Sequence, residues 1–142
     1  MSIHYLEEDR KAKEIKRTET RNWLHEVIRM EGKKPGVISY IFCSDEYLVG
    51  VNKKFLNRDY FTDVISFDYS EKELISGDIM ISIDRVRDNA ANLGNDYLEE
   101  LKRIMVHGLL HLVGYDDTTS ELKAIMTGKE DFYLGIAREM IK

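Results

Sequence analysis

The chain of 142 residues carries one cysteine and one proline, and no apolar run approaches the roughly 20 residues of a membrane-spanning helix. A single thiol, Cys43, excludes an internal disulfide and agrees with a reducing compartment. Its setting, VISYIFC at 37 to 43, is that of a buried strand thiol rather than a nucleophile. With so little proline and no low-complexity or repeated segment, linkers are excluded and one continuous domain, 1–142, is expected. The charged start EEDRK at 7 to 11 lacks the apolar region of a signal peptide, so a cytoplasmic location is expected. Positive charge is also in deficit, with 21 Lys and Arg against 26 Asp and Glu and a net charge of −5. That balance excludes a protein that coats nucleic acid by bulk phosphate neutralisation. It leaves room for an enzyme gripping a few phosphates through local cations such as Lys53, Lys54, Arg58, Arg85, Arg87 or Arg103.

What is present is strong periodicity. Ser2 to Leu6 alternates weakly as a first strand, and Lys13 to Met30 carries Ile15, Trp23, Leu24, Val27 and Ile28 on an amphipathic helical pattern. The Gly32–Gly36 stretch ends that helix, and Val37 to Cys43 reads as a second strand. Ser44 caps a helix carrying Leu48, Val51 and Phe55, which should fail near Asn57. Thr62–Asp68 and Gly77–Ile83 alternate with period two and are joined most simply as a hairpin. Asp84 is placed to cap a short helix ending at Gly94, and Asp96 with Glu99 to cap the next. Thr118 with Glu121 opens a last helix running to about Met140. The expected fold is α+β, a mixed four-stranded sheet covered by about five helices lying in one layer.

The chemistry concentrates in HGLLHLVGYDD at 107 to 117. His107 and His111, four residues apart on a helix, project from one face with Cβ atoms about 5–6 Å apart. Gly114 can turn the chain out of the helix, returning Asp117 toward both imidazoles. Three ligands with an open fourth position are the arrangement of a catalytic rather than a structural zinc, so one Zn²⁺ per chain is expected near the C-terminal helix-turn. Asp116 competes with Asp117, but the register of Gly plus three favours Asp117. His4 and His25 have no sequence-local partners and are expected in surface or core roles. Metalloproteases with this spacing carry a Glu base directly after the first His, and here that position is Gly108. The pattern therefore leans from peptide toward phosphodiester hydrolysis, where charge on the phosphoryl oxygens can be stabilised and RNA brings its own 2′-hydroxyl.

Together, HGLLHLVGYDD at 107 to 117, TDVISF at 62 to 67, GDIMIS at 77 to 82 and the run Met126–Glu130 resemble the YbeY-type metal-dependent endoribonucleases of bacteria. The resemblance implies an α+β fold, a zinc cofactor and cleavage of single-stranded RNA. It further implies maturation of ribosomal RNA, including the 16S 3′ end, ribosome quality control, and the small subunit or its assembly factors as partners. This sequence departs from the family twice. Asp117 stands where the family usually has a third His, which makes the expected site His₂Asp. Leu56 stands where an Arg is usual, and Arg58, two residues on, is the candidate for the same phosphate contact. Thr62, Asp63 and Ser66 are expected to close a turn or line the cleft floor in a structural role. Two other readings stay open: a peptidase with metzincin-like ligand spacing, and a non-enzymatic ribosome-associated factor whose metal ties the last two helices together.

Overall fold

The computed structural model describes residues 3–142. Its elements are β1 (Ile3–Glu7), α1 (Arg17–Met30), β2 (Lys34–Cys43), α2 (Asp45–Leu56), β3 (Val64–Asp68), β4 (Leu74–Ser82), α3 (Ile83–Leu93), α4 (Tyr97–Val113) and α5 (Ser120–Met140). The strands form one sheet in the order β1-β2-β4-β3, with β1, β2 and β4 parallel and β3 antiparallel to β4. The fold is thus the expected α+β arrangement of a mixed four-stranded sheet with five helices, and the β3–β4 hairpin is present. Edge strand β3 is also the strand that borders the candidate site.

The helices do not lie in one layer. Ile38, Tyr40 and Phe42 of β2 and Ile79 and Ile81 of β4 point to one face and pack with Trp23, Leu24, Val86, Leu101, Leu109 and Leu134 from α1, α3, α4 and α5. The alternate residues Cys43 and Met80, with Ile65 of β3, form a smaller cluster on the opposite face, closed by Leu48 of α2. The physical reason is at the C-terminal ends of the central strands, where Ile41 and Cys43 of β2 and Met80 of β4 are apolar at the parity facing away from the main core, so that face needs cover there. Two buried side-chain donors lock the main layer. Tyr40 Oη donates to Met105 O at 2.9 Å, and Trp23 Nε1 donates to Tyr133 O at 2.8 Å.

Local boundaries follow the caps. Ser44 accepts from Tyr47 N at the start of α2, and Asn57, in the left-handed region, ends it. Asp96 accepts from Glu99 N as expected for α4. Other boundaries shift. Ser2 lies outside the described residues, and β1 runs from Ile3. α1 begins at Arg17, not Lys13, because residues 11–16 form a turn that buries Ala12 and Ile15, with Ala12 N donating to Glu7 Oε2 at 2.8 Å. β2 begins at Lys34, running through Pro35 with a bulge before Ile38. β4 begins at Leu74, since Ser70 and Ser76 tie the hairpin end together. Ser82, not Asp84, caps α3, and the Asp84 carboxylate instead accepts from Arg10 and from Asp45 N. Thr119, not Thr118, caps α5, because Thr118 Oγ1 donates to Asp116.

Candidate metal centre

α4 lies close against the sheet where the site is built. A Cβ added at Gly108 would meet Ile79 Cγ2 at 2.6 Å and Ser66 Oγ at 3.2 Å, and Ser66 Oγ donates to Gly108 O at 3.2 Å. Position 108 therefore faces the sheet, so its glycine is a packing requirement. A glutamate base there would be driven into Ile79 rather than toward the two histidines. With the helix seated this closely, His107 and His111 stand beside β3 at the wall of a cleft of about 480 Å³. Its lining includes Asn52, Arg58, Tyr60, Thr62, Asp63 and Asp117.

Gly114, at φ +125°, ends α4 and sends the chain back over its last turn, a conformation that L side chains rarely adopt. Asp117 then meets both imidazoles. The His107 Nε2 to His111 Nε2 distance is 3.1 Å, and Asp117 Oδ2 lies 3.5 and 3.6 Å from the two nitrogens. A tetrahedral ion with bonds of about 2.0–2.1 Å holds its ligand atoms about 3.3–3.4 Å apart, so the triangle has the right size. Asp116 is turned away, accepting from Asp117 N at 2.7 Å. Among the described residues the three side chains form a metal-capable group that no fourth His, Cys, Asp or Glu joins.

The outer ring nitrogens decide which atoms face inward. Glu130 Oε2 lies 2.6 Å from His107 Nδ1, and Tyr115 O lies 3.0 Å from His111 Nδ1. Each acceptor holds a proton on Nδ1 and leaves Nε2 as a lone pair. Two such lone pairs and a carboxylate oxygen at these distances repel one another unless a proton or a metal cation sits among them, and three converging donors of this kind fit a divalent metal. Burial alone would disfavour a charged His107, but hydrogen bonding to Glu130 and the nearby Glu130, Asp117 and Asp63 carboxylates outweigh it and raise its pKa. Glu130 is itself buried and accepts from Arg103 NH1 at 2.9 Å, while Arg103 NH2 reaches Asp131 at 2.6 Å.

Arg58 lies in the α2–β3 connection and lines the cleft, with NH1 donating to Tyr60 Oη at 3.3 Å. Leu56 lines the same cleft from the end of α2. Thr62, Asp63 and Ser66 all line it as well. Asp63 is held by Asn89 Nδ2 at 3.4 Å, and burial raises its pKa. His4 and His25 sit on β1 and α1 and are not among the cleft residues. Sequence reasoning offers Arg103 as a candidate phosphate-gripping cation and Glu130 as part of a family motif, and it misses that Arg103 holds Glu130 behind His107 and that the Tyr115 carbonyl holds His111. For Glu130 a signal existed: Met126, Glu130, Leu134 and Ala137 share one buried face of α5, and a carboxylate on an apolar stripe needs a partner.

Comparison with known proteins agrees with this construction. The family model described as Endoribonuclease YbeY matches residues 5–137. The chain is 46% identical over 139 residues to the endoribonuclease YbeY of Parabacteroides distasonis, covering 98% of each chain. It is 46% identical over 138 residues to that of Cytophaga hutchinsonii, covering 96% of each, and 52% identical over 110 residues to that of Flavobacterium psychrophilum, covering 78% of this chain and 79% of the other. A solution structure of a Thermotoga maritima protein superposes with a TM-score of 0.71 at 26% identity, covering 95% of this chain and 88% of that one. With nearly the whole sequence matched, the chain belongs to the endoribonuclease YbeY family.

Proposed function

We propose that this protein is a zinc-dependent endoribonuclease that cuts single-stranded RNA. We place its action in the cytoplasm on ribosomal RNA, including the 16S 3′ end, in maturation and quality control alongside the small subunit or its assembly factors. The observation that carries the proposal is the convergence of His107, His111 and Asp117 at an open cleft rather than in a closed cage. A structural zinc is enclosed by four protein ligands, whereas three ligands beside an accessible cleft leave room for substrate and water. When bound, zinc supplies Lewis-acid polarisation of a phosphoryl oxygen and lowers the pKa of bound water.

The chain's own residues then have distinct tasks. His107, His111 and Asp117 hold the ion, Glu130 and the Tyr115 carbonyl fix the two rings, and Arg58 clamps a phosphate at the rim. Exposed Tyr60 lines the cleft beside that arginine, its hydroxyl accepting from Arg58 NH1, and exposed Phe61 lies under the Arg85 guanidinium at 5.4 Å. Aromatic faces beside a cation suit unpaired bases, which stack on them irrespective of sequence. A peptidase reading is disfavoured because the base position, Gly108, is buried against Ile79.

Purified protein should contain about one zinc and cleave unstructured RNA in preference to duplex. His111→Ala and Asp117→Ala should lose both metal and cleavage, while Arg58→Ala should keep the metal and raise KM. Undiminished cleavage by chelated protein, or turnover of peptides without turnover of RNA, would overturn the proposal.

A further inference from the structure

Outside the cleft, the most unusual buried group is Glu31. It is the C-cap of α1, where the helix dipole disfavours a carboxylate, and its side chain is only 8% exposed. Three donors hold it there. Tyr115 Oη donates to Oε1 at 2.7 Å, Lys129 Nζ to Oε2 at 3.2 Å, and Tyr133 Oη also to Oε2. The Lys129 ammonium also lies over the Tyr115 ring, 5.6 Å from its centre. A carboxylate placed against both burial and dipole, with every partner supplied by α5 or by the α4–α5 turn, points to a task in that turn.

Tyr115 is the residue through which it acts. Its backbone N donates to Leu110 O at 3.0 Å, its carbonyl accepts from His111 Nδ1 at 3.0 Å, and its hydroxyl reaches Glu31. Backbone and side chain are thus pinned at opposite ends, and the carbonyl aimed at His111 lies between them. Asp117 follows two residues later in the same turn. Without the hydroxyl contact, the direction of that carbonyl is left to local backbone bonds and to a ring held only by packing against the core and under Lys129.

We propose that Glu31 is a positioning residue for the metal centre: by anchoring the Tyr115 hydroxyl it aims the Tyr115 carbonyl at His111 Nδ1, holding His111 with Nε2 turned toward Asp117. The inference rests on the reading of His107, His111 and Asp117 as metal ligands. It adds a dependence of that site on the residue that caps the end of the first helix, 80 positions before His111 in the sequence.

Two tyrosines donating to one carboxylate provide the test, because only Tyr115 belongs to the ligand turn. Zinc affinity is measured by chelator competition on folded protein for wild type, Tyr115→Phe, Tyr133→Phe, Glu31→Gln and the Glu31→Gln, Tyr115→Phe double variant. Tyr115→Phe should weaken zinc binding by about tenfold, the low end for loss of an outer-shell partner. Tyr133→Phe should stay within twofold of wild type even where it lowers Tm. Glu31→Gln, which keeps an atom able to pair with the Tyr115 hydroxyl, should lose no more than Tyr115→Phe, and the double variant should be no worse than Tyr115→Phe alone. Long-range ¹H–¹⁵N spectra of the metal-free proteins supply a readout independent of zinc: His111 should be Nδ1–H in wild type and Tyr133→Phe, and a tautomer mixture in Tyr115→Phe. Equal losses from both tyrosine variants, or none from either, would overturn the inference while leaving the metal site standing. Wild-type protein that fails to bind zinc would overturn the ligand reading itself, and this inference with it.

Discussion

Glu130→Gln tests the architecture of the metal centre at a residue that touches neither the cleft nor, on our reading, the metal. The buried carboxylate accepts at 2.6 Å from His107 and at 2.9 Å from Arg103, two charge-assisted contacts made on separate oxygens. Glutamine keeps the shape but has only one acceptor oxygen. Turned toward His107, it presents its NH₂ to the Arg103 guanidinium, and turned the other way it presents NH₂ to His107 Nδ1–H. Either orientation leaves one donor facing another in a buried place. Hydrogen bonds to charged groups are worth about 1.5–3 kcal/mol each, so a stability loss of about that size is expected. Loss of an outer-shell partner typically costs about 10–100-fold in metal affinity, equivalent to about 1.4–2.7 kcal/mol. Zinc competition against a chromophoric chelator measures the second quantity, and urea unfolding of the metal-free protein measures the first. Zinc affinity within twofold of wild type would refute the idea that Glu130 sets the ring and basicity of His107, whatever happened to stability.

Two glycine substitutions of identical chemistry should move stability in opposite directions. At Gly108 the new methyl group meets Ile79 Cγ2 at 2.6 Å, and overpacking of about 1–3 kcal/mol exceeds a helix-propensity gain of about 1 kcal/mol. At Gly128 in α5 nothing lies within 4 Å, so alanine should stabilise by about 0.5–1 kcal/mol; urea midpoints check both signs. Burial, with nearby acidic groups, pushes the Cys43 thiol up to about 12, and Sγ donates to Ile81 O at 3.5 Å. Native protein should therefore resist thiol reagents at pH 8 and react with one equivalent in denaturant. Burial alone would raise the pKa of Glu31, but hydrogen bonds from Tyr133, Tyr115 and Lys129 outweigh it and hold it below the ordinary 4.5. Its stabilising contribution is thus complete above the unfolded carboxylate range and is lost as pH falls through the lowered folded value. Acid titration of unfolding free energy should show a shallower decline in Glu31→Gln than in wild type below about pH 4.5.

Local order alone determined much of this protein. Alternation in TDVISFD and GDIMISI marks a hairpin, Ser44, Asn57 and Asp96 mark helix ends, and the spacing of His107, His111, Gly114 and Asp117 places three donors within one short stretch of chain. These features depend on residues only a few positions apart, so backbone geometry carries them without knowledge of the rest. Tertiary structure decided what depends on distant partners. It put α2 on the second face of the sheet, where Cys43, Ile65 and Met80 leave an apolar patch that Leu48 covers. It showed that Gly108 is required by contact with Ile79, a reason invisible in the motif itself. It also brought Glu130 to His107 across 23 residues and Glu31 to Tyr115 across 84. No periodicity reports such pairings, because they arise only when α1, α4 and α5 pack on one sheet. The candidate metal ligands were legible because they are neighbours in the chain; Glu130 behind His107 and Glu31 behind Tyr115 were not, because packing alone makes them neighbours.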